Sequence, residues 1–274
     1  MSDQWTRRSF VGLVPGALAL GLVGAGRSDA QDAYAAPGAE GAAGPGASFP
    51  AQDPALVREV VGASHGRIER VRELVEARPA LAKAAWDWGF GDWESALGAA
   101  SHTGQRAIAE LLLAHGARPT LFSAAMLGQL AVVKAFVEAS PGIQSTPGPH
   151  GIPLLDHARA GGPQAAAVVA WLEEVGGADP APAEAPLDPA DHDRLLGEYT
   201  YGPGAGGRIT VAVLRDGLGL AVGAGFPRGL FHHGDLVFHP AGASAVRIRF
   251  ARAGDAITHL TIDDGEVRVT ARRS

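Results

Sequence analysis

The stretch "ESALGAASHTGQRAIAELLLAHGARP", residues 94–119, decides how the first half of this chain reads. Ala96 to Ala100 are small and apolar. Gly104 follows, and Ile108, Leu111 and Leu112 fall four, seven and eight positions after it. That spacing is one face of an α-helix. The stretch therefore reads as a short helix, a glycine turn and a longer helix, glycine being the residue that takes positive φ at no steric cost. The frame recurs. Around Gly128 it has Ala124 and Ala125 before, then Val132, Val133 and Phe136. Around Gly66 it has Val60 and Val61 before, then Val71, Leu74 and Val75. Around Gly162 it has Leu154, Leu155 and Ala158 before, then Val168, Val169, Trp171 and Leu172. The four glycines are 38, 24 and 34 residues apart.

A period of about 33 with this content resembles the ankyrin repeat. Residues 94–119 carry the resemblance most closely, and "HGIPLLDHARAGG" (150–162) resembles the start of a further repeat. The resemblance implies four repeats over 53–179, stacked as a solenoid in which each unit buries its apolar face against its neighbours. It also implies recognition of another macromolecule on the concave side. The uneven spacing implies an enlarged finger before the second unit and a minimal one before the third. The enlarged finger holds Trp86, Asp87, Trp88, Phe90, Asp92 and Trp93. Aromatic residues on a projecting loop are good anchors for a partner, so these six are the expected partner-binding residues. The alternatives are that the aromatics fold back over the first unit or line a small-ligand pocket.

From Leu195 the apolar period changes from 3.6 to 2. Residues 208–213 and 245–250 alternate, the latter with arginine on the solvent face. Asp216-Gly217, His233-Gly234-Asp235 and Asp263-Asp264-Gly265 are hairpin turns. About seven short strands are expected over 193–274, as an antiparallel meander or small barrel. Phe226, Phe231, Phe238 and Phe250 are candidates for its interior. "LLGEYTY" (195–201), "FHHGDLVFHP" (231–240) and "VRIRFARAGDAITHLTI" (246–262) are similar to the small lipocalin-like β domain appended to bacterial penicillin-binding-protein-like serine hydrolases. In those hydrolases that domain is not the catalytic one, and no hydrolase domain accompanies it here. The expected fold class is thus a multidomain α + β chain: an ankyrin-repeat α-solenoid followed by a small antiparallel β domain.

The segments outside these two regions have a different composition. "TRRSFV" (6–11) is a twin-arginine pattern, followed by an apolar run and by Ser28-Asp29-Ala30, a small-x-small cleavage site. Residues 1–30 resemble a twin-arginine (Tat) export signal, which implies a periplasmic or secreted protein, with membrane contact only if the segment is retained. Residues 31–52 are mostly Ala, Gly, Pro and Ser, and read as a flexible linker. A Pro-rich stretch over 180–192 separates the helical part from the β part. The formal net charge is −6 over 274 residues. That balance argues against sequence-independent nucleic-acid binding, which needs a basic footprint. Cys is absent, which excludes disulfides, thiolate nucleophiles and Cys-based zinc sites.

Chemistry suggested by local motifs does not survive its context. Gly62-Ala63-Ser64-His65-Gly66 has the spacing of a nucleophile elbow, but a helix precedes it where a strand is needed. Gly202, Gly204 and Gly207 match a dinucleotide fingerprint, but a strand follows where a helix is needed. His65, His102 and His157 lie near corresponding turns, where the resemblance implies hydrogen bonds to neighbouring backbone. His232, His233 and His239 cluster in the β part without the spacing of a metal site. The expectation is a non-catalytic protein–protein interaction module with no cofactor, no metal and no catalytic residue. The alternatives are ligand or metal binding by the β part, or a hydrolytic enzyme at the junction, drawing on Asp87, Asp92, His102 and His150.

Overall fold

The computed structural model describes residues 48–181, 184–202, 207–215, 217–265 and 267–274. The export signal expected over 1–30 lies outside the described residues, as does the linker up to residue 47. Asp53 opens the first helix, α1 (Pro54–Ala63): its carboxylate accepts from Ala55 N–H at 2.8 Å, and proline takes the first helical position. Then come α2 (Ile68–Ala77), a 3₁₀ turn (Pro79–Lys83) and a hairpin of β1 (Ala85–Asp87) with β2 (Trp93–Ser95). Ser95 caps α3 (Ala96–His102), its hydroxyl accepting from Gly98 N–H at 2.9 Å. The helical part continues with α4 (Arg106–Ala114), α5 (Leu121–Met126), α6 (Leu130–Ala139), α7 (Leu154–Ala160) and α8 (Ala166–Val175). Thr120 and Ser123 form a reciprocal capping box at the start of α5.

The ankyrin-repeat solenoid expected over 53–179 is not the architecture found among the described residues. A solenoid needs one repeated unit and one continuous core. Here the helices pack around two apolar clusters, one under α1–α4 that also takes in Met126 of α5, and one under α5–α8. A β-hairpin joins only α2 to α3. Residues 115–120 link α4 directly to α5, and 3₁₀ turns (Ile143–Ser145, Pro149–Gly151) link α6 to α7. The frame glycines are not equivalent either. Gly104, Gly128 and Gly162 have positive φ and Gly66 does not. The unequal spacing of 38, 24 and 34 residues is the sequence-level cause: units of such different length cannot stack in one register.

Beyond the helices, α9 (Pro189–Leu195) leads into eight strands: β3 (Gly197–Thr200), β4 (Arg208–Leu214), β5 (Gly217–Val222), β6 (Arg228–Gly234), β7 (Val237–Pro240), β8 (Arg247–Ala253), β9 (Ala256–Asp264) and β10 (Val267–Arg273). They pair antiparallel, each with the next, and β10 pairs back with β3, closing the barrel. About seven strands were expected and eight are present. The period of two sorts β8 cleanly, Ile248 and Phe250 inward, Arg249 outward. Tyr199, Phe238 and Phe250 meet edge to face at 5.6–5.7 Å inside the barrel, so side chains fill the interior as in other eight-stranded barrels. Phe231 is half-buried, and Phe226 is exposed on the loop before β6.

Helices and barrel belong to one compact unit, Pro45–Ser274. Phe90, at the tip of the β1–β2 hairpin, packs against the barrel's core. Ala185 N–H donates to His232 O at 2.7 Å, so the chain entering α9 also lies along the barrel. No helix among the described residues is long and apolar enough to cross a membrane.

Candidate metal centre

The β1–β2 hairpin pairs Trp86 with Glu94 and Asp87 with Trp93. Side chains of a strand alternate between faces, so this register divides the finger. Trp86 and Glu94 share the inner face, and Asp87 and Trp93 share the outer one. Trp86 and Trp88 pack on the first helical cluster. Trp88 also meets Phe226 of the barrel edge to face at 5.9 Å. Asp87 accepts from Gly89 N–H at 2.8 Å within the turn. Asp92 is 3% exposed, and Trp93 is 63% exposed. The six residues expected to form one binding surface therefore face two ways, and Trp93 is the exposed aromatic among them.

The inner face builds a site. Glu94 is completely buried. Its Oε2 accepts from Trp88 Nε1–H at 2.8 Å and its Oε1 from His102 Nε2–H at 2.8 Å. Nε2 of His150 lies 3.4 Å from Oε1, and Nε2 of His65 lies 3.4 Å from Oε2. His65 comes from the turn after α1, His102 from the end of α3 and His150 from the Pro149–Gly151 turn. One ligand atom from each of these three histidines and from Glu94 lies within 4.8 Å of all the others.

Behind the histidines a second set of groups fixes the rings. Asp92 Oδ2 accepts from His150 Nδ1–H at 2.7 Å and from Arg228 Nη1–H at 2.7 Å, and Oδ1 accepts from His150 backbone N–H at 2.9 Å. Arg228 belongs to β6, so Asp92 ties the hairpin to the barrel. Gly242, in the loop after β7, has φ +78°, and a Cβ there would stand 2.7 Å from the Asp92 carboxyl group. Only glycine lets that loop close over the ion pair. His65 Nδ1–H donates to Gly62 O at 3.2 Å. His150 itself sits at φ 60°, ψ 12°, a left-handed conformation that costs a non-glycine residue about 1–3 kcal/mol and clusters at functional sites. Its backbone bond to Asp92 helps hold it there.

The protonation pattern follows from these contacts. Burial, the largest influence on Glu94, works to raise its pKa. Hydrogen bonds from His102 and His150, and the charges of His150 and His65, outweigh burial and hold the carboxyl at about 2. Burial works to lower His150, but its bonds to Asp92 and Glu94 and their charges raise it to about 9. Asp92 is likewise held down against burial, by His150 first and then Arg228. The centre is thus a balanced set: two carboxylates, Arg228 and a protonated His150.

His157 in α7 is the neighbour that does not join. It is fully buried, and neither ring nitrogen meets a partner, so the backbone hydrogen bonds expected of it are not made. Burial, with the charge of His102 second, pushes it down to about 3. In the barrel, His233 Nε2 and His239 Nδ1 meet at 2.7 Å, but no third ligand joins them among the described residues.

Local spacing carries little of this. Asp92, His102 and His150 were legible as junction candidates, whereas His65 read as part of a turn and Arg228 as a strand residue. Asp87, the fourth junction candidate, points away on the outer face. Comparison with known protein families, curated proteins and solved structures finds no match for this chain.

Proposed function

We propose that this protein binds one divalent transition-metal ion of the zinc class through His65, His102, His150 and Glu94. The ion acts as a staple between the helices and the hairpin rather than as a catalyst. One observation carries the reading: Nδ1–H of His150 is committed to Asp92 and Nδ1–H of His65 to Gly62 O, so both Nε2 atoms face a buried carboxylate. A neutral imidazole so oriented presents a lone pair to an anion. It needs either a second proton, which His150 carries here, or a cation between the two. A carboxylate or backbone carbonyl behind a histidine is also the usual outer support of a metal ligand.

Three imidazoles with one carboxylate suit zinc and its neighbours, and magnesium and calcium prefer oxygen sets. Tetrahedral zinc ligands at about 2.0–2.1 Å stand about 3.3 Å apart, so closure from the present spread needs only side-chain adjustment. Four protein ligands are the pattern of structural sites, whereas catalytic sites keep a position for water. The test is titration of the chelator-treated chain with Zn²⁺ and Co²⁺, followed by calorimetry and visible absorption. One ion per chain, a Co²⁺ ligand-field band and a raised unfolding midpoint are expected, all lost in His102→Ala. No stoichiometric binding of either ion at micromolar concentration would overturn the reading.

A second reading, non-catalytic recognition of a partner protein, is supported by Trp93, 63% exposed on the outer face of the same hairpin. An ion beneath the hairpin would hold Trp93 in one place. The twin-arginine resemblance favours a periplasmic setting for this contact. Co-purification of the native and Trp93→Ala proteins, both metal-loaded, tests it. The expected result is a partner that is lost with the tryptophan.

A further inference from the structure

The barrel reaches the candidate metal centre through one short loop. Residues 223–227 join β5 to β6, and Arg228 opens β6. Arg228 Nη1–H donates to Asp92 Oδ2 at 2.7 Å and to Ala241 O at 2.9 Å, and its side chain is 12% exposed. Asp92 in turn holds both the ring and the backbone of His150. Two positions before Arg228, the ring of Phe226 meets Trp88 edge to face at 5.9 Å. Trp88 Nε1–H donates to Glu94 Oε2. Phe226 is otherwise exposed, and Trp88 is its one ring contact among the described residues. The same loop thus touches the groups behind two of the four ligands, one a histidine and the other the carboxylate. Its ends are tied to the barrel, Gly223 N–H donating to Arg208 O at 2.7 Å and Ala241 N–H to Gly229 O at 2.8 Å.

We propose that the β5–β6 loop is the outer clamp of the metal centre, with Arg228 and Phe226 as positioning residues, so that ion binding is coupled to the order of this end of the barrel. The inference rests on the metal reading above and extends the ion's hold from the helices and hairpin to the barrel. A ligand imidazole offers its lone pair in one direction, and the group behind the ring fixes that direction. For His150 that group is Asp92, which is 3% exposed. A carboxylate so buried needs an opposite charge beside it. A guanidinium keeps its charge at every working pH, so Arg228 meets that need however the neighbouring rings are protonated. Phe226 acts on the other ligand, limiting the tilt of the Trp88 ring whose N–H holds one Glu94 oxygen. Coupling of this kind is reciprocal: what the clamp adds to ion affinity, the ion returns as order in the clamp.

The experiment measures Zn²⁺ affinity by competition with a chromophoric chelator, and the Co²⁺ spectrum, on the full chain and on Arg228→Gln, Arg228→Lys and Phe226→Ala. Unfolding of each metal-free protein is recorded alongside. Loss of the group that supports a ligand typically costs about 10–100-fold in metal affinity. That loss, with a shifted Co²⁺ spectrum, is expected for Arg228→Gln. Arg228→Lys, which keeps the charge and a donor, is expected to recover part of the affinity, and Phe226→Ala to lose less than Arg228→Gln. Equal affinity in the wild type and Arg228→Gln overturns the proposal. If Arg228→Gln does not fold, amide hydrogen exchange of the wild type decides, because it reads local opening. Zinc is expected to slow exchange at Gly223 and Ala241 by more than at Val213 and Leu218, which lie at the other end of the barrel. An equal change at both ends overturns the coupling. A wild type that takes no ion overturns the metal reading and this one with it, whereas a binding wild type matched by Arg228→Gln overturns this one alone.

Discussion

Glu94→Gln is the substitution that tests the centre most directly, and it needs no metal. Glu94 has no exposed surface and receives Trp88, His102, His150 and His65 at 2.8, 2.8, 3.4 and 3.4 Å. Gln keeps the shape but removes the charge, and its amide N–H₂ faces nitrogen donors. His150 rises from 6.5 to about 9 on folding, which corresponds to about 3 kcal/mol of stabilisation, shared between Asp92 and Glu94. The depressed value of Glu94 describes the same contacts from the other side and is not added. Losing the Glu94 share, and leaving a buried amide unmatched at about 1–3 kcal/mol, gives an expected loss of about 3 kcal/mol. The sign fixes the pH window. His150, raised on folding, stabilises fully below 6.5, and its contribution fades as pH rises through about 9. Glu94, lowered from 4.5 to about 2, stabilises above 4.5, and its contribution fades as pH falls towards 2. Urea unfolding of both chelated proteins at about pH 5.5 and about pH 9.5 reads the difference. A loss below about 1 kcal/mol at the lower pH, or the same loss at both, would refute the assignment of a charged, coupled centre.

Other perturbations read other parts of the fold. Because His150 holds a proton up to about pH 9, zinc binding should release one proton at neutral pH. Apparent affinity should then rise about tenfold per pH unit up to that value, as calorimetry in buffers of different ionisation enthalpy would show. Gly242→Val places a side chain 2.7 Å from the Asp92 carboxyl group at φ +78°. Strain alone costs about 1–3 kcal/mol, and the unfolding midpoint and zinc affinity should fall together. Trp93→Ala, at an exposed position, should change stability by no more than about 0.5 kcal/mol. Phe238→Ala empties a position 1% exposed in the barrel and should cost about 3–5 kcal/mol in denaturant unfolding.

Much of the secondary structure was legible, because it rests on local period. The apolar face of residues 106–114 and the alternation of residues 245–250 show within a single window, and a helix and a strand form there. The assembly of the helices was not legible. Four similar frames implied one continuous stack, but chain between the frames is too unequal in length, and the apolar faces close into two clusters instead. The finger held a signal that went unused. Its period of two already separated Trp86 and Glu94 from Asp87 and Trp93, once its turn was placed at Gly89 to Gly91.

By itself the sequence determined the helix and strand segments, the alternating faces of the barrel strands, the absence of thiolate chemistry and the acidic balance. These follow from backbone periodicity and from composition, which act over a few residues or over none. The tertiary structure alone decided the closure of β10 on β3, the turning of the finger's inner face towards the helices, and the convergence of His65, His102 and His150 on Glu94. Asp92 and His150, which touch, are 58 residues apart, and Asp92 and Arg228 are 136 apart. Separations of that size are bridged by the packing of everything between them, and no local spacing encodes the result.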